Sequence, residues 1–306
     1  MFKWQPRPII ALVVFTLYSQ LGFARAINVK DDTGQTVALE RTTQRIVALS
    51  PHVVETLYVA GAGNKIVGAV DYSDYPNAAK SIPRVGGYSL INLEAIVALQ
   101  PDLVIAWETG NSPAAIEKLR ALRIPVYLSQ PNTLEDIGAE IRRFGVLAGT
   151  EPVANKAADQ YAQRLSALKK RYQNRSTVRV FYQISEAPLM TIGGKQIITN
   201  ALTICGGKNV FDQLTPMASV ITSEAVIAEN PEAIMTSGMQ KLNPTGLDFW
   251  KKWPALTATQ RNNFFFIDSD LMNRNGPRML AGTEELCKAL QTARDRRPKN
   301  YQSTKP

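Results

Sequence analysis

Short apolar runs alternate with segments of helical periodicity along most of the chain. "RIVALS" (45–50) reads as a buried strand. Ser50 and Pro51 follow, with serine in a capping position and proline at the first helical residue. "HVVETLYVAG" is then a helix closed by Gly61. "KIVGAV" is the next strand and "SDYPNAA" a loop of turn residues. "SPAAIEKLRAL" is a helix starting at Ser112, "IPVYLS" a strand, and "TLEDIGAEIRRFGVLAG" a helix with apolar positions at Leu134, Ile137, Ile141 and Phe144. Strands alternating with helices of this length predict a parallel sheet covered on both faces. Ahead of this pattern, residues 27–43 read as a polar, turn-containing lead-in.

A different element follows. Residues 152–174 lack glycine and any internal proline, and Ala154, Ala157, Tyr161, Leu165 and Leu168 form one stripe. At 1.5 Å per residue this helix runs ~35 Å, the span of a small domain, so it reads as a strut. Beyond it the scheme returns: a strand "VRVFYQI", a helix "QIITNALTICGG" ending in a glycine pair, a buried strand "NFFFID", a loop "SDLMNRNG" and a last helix "PRMLAGTEELCKALQTA".

The two halves also share a signature. "INLEAIVALQPDLVIAW" (91–107) and "ITSEAVIAENPEAIMTS" (221–237) align without gaps. They match at Ile91/Ile221, Glu94/Glu224, Ala95/Ala225, Ala98/Ala228 and Pro101/Pro231. Each is an amphipathic helix, a proline and a strand. The expected architecture is therefore α/β: two related lobes with mainly parallel sheets on one long connecting helix, with a ligand cleft between the lobes. Ligands in open α/β sheets bind outside the carboxyl ends of the strands. The expected segments are 1–26, a signal peptide; 27–150, the first lobe; 151–175, the connector; 176–293, the second lobe; and 294–306, a basic, solvated tail.

Charge changes the picture only at the ends. The net charge is +9 over 306 residues. Residues 1–26 contribute +3 through Lys3, Arg7 and Arg25, and the tail from Arg294 contributes +4, leaving +2 for the body. A nearly neutral body speaks against a nucleic-acid partner. Lys3 and Arg7 precede the apolar run "IIALVVFTLY" (9–18), and "FARA" supplies small residues at Ala24 and Ala26. That is the layout of a secretory signal cleaved after Ala26, and the run falls short of the ~20 residues that span a bilayer. In an exported chain, two cysteines point to one disulfide, with two buried thiols as the alternative.

Candidate chemistry is sparse. No G-x-S-x-G elbow, phosphate loop or dinucleotide fingerprint is present, and His52 is the sole histidine. His52 sits at a helix start and reads as a plain polar loop residue rather than a ligand. Neither a catalytic set nor a metal site is expected. Aromatic and polar residues at strand ends and in loops remain: Tyr72 and Tyr75 in "DYSDYP", Tyr88 in "GGYSL", Trp107 at a strand end, and Asp270 and Arg274 in "SDLMNRNGPR". Such a set can grip a large flat ligand; the alternatives are core packing for Trp107 and a surface ion pair for Asp270 and Arg274. Glu94 and Glu224 sit in the first turns of their helices, where the helix dipole favours a carboxylate. They could equally present two matched charges to a symmetric partner.

"RIVALSP", "YSDYP", "NLEAIVALQPDLVIAW", "ICGGKNVF" and "DLMNRNGPR" together resemble the periplasmic cobalamin-binding proteins of ABC importers, a branch of the helical-backbone class that also carries siderophores and haem. The resemblance covers roughly residues 44–292. It implies a periplasmic, non-catalytic monomer that needs no cofactor, carries cobalamin as its ligand and delivers it to a membrane permease. By position, the family's ligand contacts fall on Tyr72, Tyr88, Trp107, Asp270 and Arg274, its docking glutamates on Glu94 and Glu224, and its disulfide on Cys205 and Cys287. One departure stands out: where a member of the family carries a tryptophan in the second lobe, this chain has Met217 or Ala218. The rivals are a haem or ferric-siderophore binder of the same fold, for which the matching loops offer mainly Arg274 and Arg278, and an exported hydrolase.

Overall fold

The computed structural model describes residues 1, 26–237, 246–299 and 301. The expected signal segment, apart from residues 1 and 26, lies outside them, as do Lys305 and the other residues beyond 301. Among the described residues no helix is long and apolar enough to cross a membrane.

The first lobe is built on a four-stranded, wholly parallel sheet in the order Ile66–Ala69, Ile46–Ala48, Leu103–Trp107, Val126–Ser129. Its inner strands are buried on both faces, which is why they read as unbroken apolar runs. The second lobe has a mixed six-stranded sheet. Val178–Glu186, Ala233–Ser237 and Phe264–Ile267 run parallel, as does Gly207–Asn209 beside the first of them. Leu189–Ile192 and Ala218–Val220 are antiparallel additions at one edge. Phe264–Ile267 forms the other edge and is half-buried, where the sequence suggested a buried strand.

The connector is Glu151–Tyr172, 22 residues without a break. It is no free strut. Its buried stripe of Ala154, Ala158, Tyr161, Leu165, Leu168 and Tyr172 belongs to one hydrophobic core that runs from the first lobe (Leu57, Ile105, Phe144) to the second (Tyr182, Leu202, Leu286). Each lobe adds its own core on the opposite face of its sheet. The preceding helix, Leu134–Ala148, opens with a capping box between Thr133 and Asp136 and closes on Gly149 at φ 68°.

Three further expectations change. The lead-in is ordered: Ile27–Lys30 and Thr36–Leu39 pair as an antiparallel hairpin whose Val29, Val37 and Leu39 enter the shared core. The segment expected to be a loop after Phe264–Ile267 holds a short helical turn, Ser269–Met272, capped by Asp268. The start of the basic tail is anchored rather than solvated, because the last helix continues to Asp295. Arg294 is buried and donates to the carbonyls of Ser176, Cys205 and Gly206, and Arg297 forms a bidentate pair with Glu232. These cations satisfy buried acceptors, so a net-charge reading mistook structural arginines for a solvated end.

Candidate functional site

A cavity of about 290 Å³ opens where the carboxyl ends of the two sheets face each other. It is lined by Tyr72, Tyr88, Trp107, Asp270 and Arg274, the five positions on which the resemblance places ligand contacts, together with Ser50, Pro51, His52, Ser269, Asn273 and Asn275; Tyr75 is not among them. Met217 and Ala218 are not among the lining residues.

The first lobe supplies the aromatic wall. Trp107 ends its strand and is held from several sides. Its backbone N–H donates to Asn111 Oδ1 at 2.6 Å, and its indole N–H donates to Gln130 Oε1 at 3.1 Å. Asn111 also donates to the carbonyls of Leu49 and Tyr88, stitching the strand end to the Tyr88 loop. Gln130 is fixed in turn by Asp32 of the N-terminal hairpin, which accepts the Gln130 N–H at 2.6 Å and pairs with Arg143. The ring leaves no space beside Gly110, where a Cβ would lie 1.8 Å from it. Tyr88 leans on Trp107 at 5.8 Å between centroids, and His52 meets it edge-on at 5.8 Å. Tyr72 differs: it is 74% exposed, at a left-handed φ of 62°, and holds its ring out into the opening.

His52 is not a loop residue. It is buried in the first turn of Pro51–Val59, and both ring nitrogens are occupied, Nδ1 by Ser50 Oγ at 2.6 Å and Nε2 by Ser129 Oγ at 3.0 Å. Ser50 therefore makes no side-chain cap; its hydroxyl serves the histidine instead. Burial lowers His52 to about 3, so it is neutral at ordinary pH. A base that weak, with no carboxylate among its ring partners, does not suit general-base catalysis near neutrality. Among the described residues there is also no cluster of histidine, cysteine and acidic side chains able to hold a metal ion.

Near Ser129 lies Glu140, fully buried. Burial, reinforced by the neighbouring Asp32, pushes its carboxyl up to about 8 from 4.5. The folded protein therefore keeps a proton that the unfolded chain releases, and stability falls as pH rises from about 4.5 to about 8. His52 works in the other direction, costing stability as pH falls below 6.5, so it is silent above that value. Between pH 6.5 and 8 the slope from Glu140 is at most about 1.4 kcal/mol per unit. Glu140→Gln keeps the shape without the proton, and thermal melts across that window should show a flatter profile than wild type. Parallel profiles would refute the assignment.

The second lobe supplies the polar wall. Arg274 donates to Glu55 at 3.1 Å and to Asp74 at 2.7 Å, both on the first lobe, and lies 3.5 Å from Asp270. Arg278 clasps the same Glu55 through Nε at 2.9 Å and Nη2 at 2.7 Å, and stacks 4.0 Å over the ring of Tyr75. Gly276 packs against His52, its Cβ position 3.3 Å from that of the histidine. Asp270 and Arg274 are therefore more than a surface ion pair: their loop meets the first lobe across the cleft. Glu55, Asp74, Asn111 and Gln130 escaped the sequence reading, since each acts through partners far along the chain.

Glu94 and Glu224 lie apart from the cavity, exposed in the first turns of Leu93–Ala98 and Ser223–Glu229. The caps match as well: Asn92 accepts from the Ala95 N–H and Thr222 from the Ala225 N–H. The Glu224 carboxyl is held below its usual value by its own backbone N–H, with help from the Thr222 hydroxyl. Cys205 and Cys287 are joined in a disulfide.

Comparison with known proteins places this geometry. A curated relative, the vitamin B12-binding protein of Vibrio parahaemolyticus, is 36% identical over 255 residues, covering 83% of this chain and 92% of the relative. The vitamin B12-binding protein of Yersinia pestis is 33% identical over 251 residues, with 82% and 87% covered. Among solved structures, the periplasmic vitamin B12-binding protein of Vibrio cholerae superposes with a TM-score of 0.77 at 35% identity, over 82% of this chain and 98% of that one. A periplasmic heme-binding protein from Roseiflexus sp. RS-1 follows with a TM-score of 0.72 over 82% and 99%, but at 21% identity it shares the fold alone. The family model described as periplasmic binding protein matches residues 46–271, from the first strand of the first sheet to the loop that carries Asp270, and the chain belongs to that family.

Proposed function

We infer that this protein captures cobalamin in the cleft between its lobes and delivers it to the membrane permease of an ABC importer, working in the periplasm after removal of a signal peptide at Ala26. One observation carries the reading: a single cavity gathers three aromatic side chains on one wall and an arginine and aspartate on the other. Corrin is a wide ring edged with amides. Amides both donate and accept, so Asp270 takes N–H groups while Arg274 gives to carbonyls, and the aromatic wall takes the ring or its apolar edge. The relatives named for vitamin B12 support it at 33% to 36% identity, whereas the heme-binding relative stands at 21%. The cavity, about 290 Å³, holds only an edge of such a ligand, so most of a corrinoid sits in the mouth of the cleft beside exposed Tyr72 and Tyr88. Calorimetry with cyanocobalamin, haem and a ferric siderophore in parallel tests the assignment. Binding of haem or the siderophore with no response to cyanocobalamin would move the protein to the rival ligand.

Docking is assigned to Glu94 and Glu224. They repeat at equivalent positions, share their capping arrangement, face solvent and lie outside the cavity lining. Lysine at both sites should leave cyanocobalamin affinity unchanged and reduce uptake in cells. Loss of a charge pair at an interface costs about 2–5 kcal/mol where the pair is buried and much less at a rim. Normal uptake by the double reversal would remove the docking role.

A further inference from the structure

The guanidinium of Arg274 has two acidic partners from the first lobe, and they differ in kind. Glu55 has 2% of its side chain exposed and also holds Arg278 through two hydrogen bonds. Asp74 has 50% of its side chain exposed and accepts one bond of 2.7 Å from Arg274. A half-solvated ion pair is screened and contributes little, whereas a buried carboxylate stripped of its cations is costly. A polar ligand that reaches Arg274 therefore displaces Asp74 and leaves Glu55 where it is.

We propose that Glu55 is a positioning residue that holds Arg274 toward the cavity, and that Asp74 is a stand-in acceptor which occupies the guanidinium until a ligand carbonyl replaces it. Arg278 completes the arrangement. Its fork engages both oxygens of Glu55 and its plane lies on Tyr75, so Glu55 is fixed from behind and its remaining acceptor capacity faces Arg274. The exchange also sets a preference. Asp74 and Asp270, each half-exposed, flank Arg274. A neutral amide carbonyl that replaces Asp74 forfeits only a screened ion pair, while a carboxylate meets two like charges. This inference rests on the reading of an amide-edged ligand above and deepens it.

The test compares wild type, Asp74→Asn and Glu55→Gln in two measurements. The first is calorimetric titration with cyanocobalamin, with thermal melts as the folding control. The second is the distance between spin labels on the two lobes, taken without ligand. Removing a competitor should tighten Asp74→Asn by up to about fivefold. Releasing Arg274 should weaken Glu55→Gln by about tenfold or more and lengthen the distance between lobes in that variant alone. A purely structural clasp would weaken both variants. Asp74→Asn that binds no more tightly than wild type overturns the proposal, as does Glu55→Gln that binds within about twofold of wild type. If Glu55→Gln does not fold, the sign of the Asp74→Asn change decides. If wild type ignores cyanocobalamin, the functional reading fails by itself; the label distance then judges the clasp, and lobes that stand alike in wild type and Glu55→Gln overturn it too.

Discussion

Trp107→Ala is expected to weaken cyanocobalamin binding by roughly ten- to a hundredfold. Burying one large aromatic face against a ring is worth about 1.5–3 kcal/mol by area, and an alanine forfeits nearly all of it. The preorganisation of this side chain argues for the upper end. Its indole N–H is tied to Gln130, its backbone to Asn111, and its ring is wedged over Gly110 and edged by His52. Little rotamer freedom remains to be lost when a ligand arrives, so the contact energy reaches the affinity almost undiminished. Trp107 is partly exposed and lies on the cavity side of its strand end, so removing it leaves the cores on either side of the sheet filled and the melt close to wild type. Titration of both proteins, with melts alongside, is the measurement. Affinity within about twofold of wild type would take the ligand away from this wall.

How far such a site can be read from sequence depends on the range of the interactions that build it. The strand that carries Trp107 was legible because burial on both faces writes itself as an unbroken apolar run, whereas the equally apolar strand before the 268–275 loop lies half-buried at a sheet edge. The turns around Tyr72 and Tyr88 were legible through glycine and proline. The repeat was legible in full: residues 91–96 and 221–226 show the same alternation of burial, position by position. What stayed hidden was everything set by a partner far along the chain. Glu55 looks like one polar position on an amphipathic helix, yet it meets arginines 219 and 223 residues later. His52 looks like a lone loop histidine until Ser129 arrives from another strand. Asp32, in what read as a lead-in, supports the indole of Trp107 through Gln130. Local periodicity and turn chemistry carry no record of these meetings, which exist only once distant segments have packed together.

Replacing both cysteines with alanine should cost the largest amount of stability of any change considered. Cys205 ends the helix Ile197–Ile204 and Cys287 lies mid-way along Met279–Asp295, 82 residues further on, with both side chains fully buried. Closing a loop of that length removes unfolded-state entropy worth about 4–5 kcal/mol, and often less in practice. At about 2–4 °C per kcal/mol for a chain approaching this size, the melting temperature should fall by roughly 8–20 °C. The double variant is the right probe, because a single replacement leaves an unpaired buried thiol as a separate cost. The last helix is also held by Arg294 and Arg297, so the fold survives the loss and the variant should still bind at low temperature. The helix begins at Met279, immediately after Arg278 and a few residues past Arg274, so any loosening of its packing reaches the polar wall of the cavity first. Affinity should therefore decline on warming at a lower temperature than in wild type, ahead of global unfolding. Melts followed by circular dichroism, with titrations at two temperatures below the transition, separate these effects. A variant that melts within about 2 °C of wild type would mean that the bridge contributes little beyond what the arginine anchors already supply.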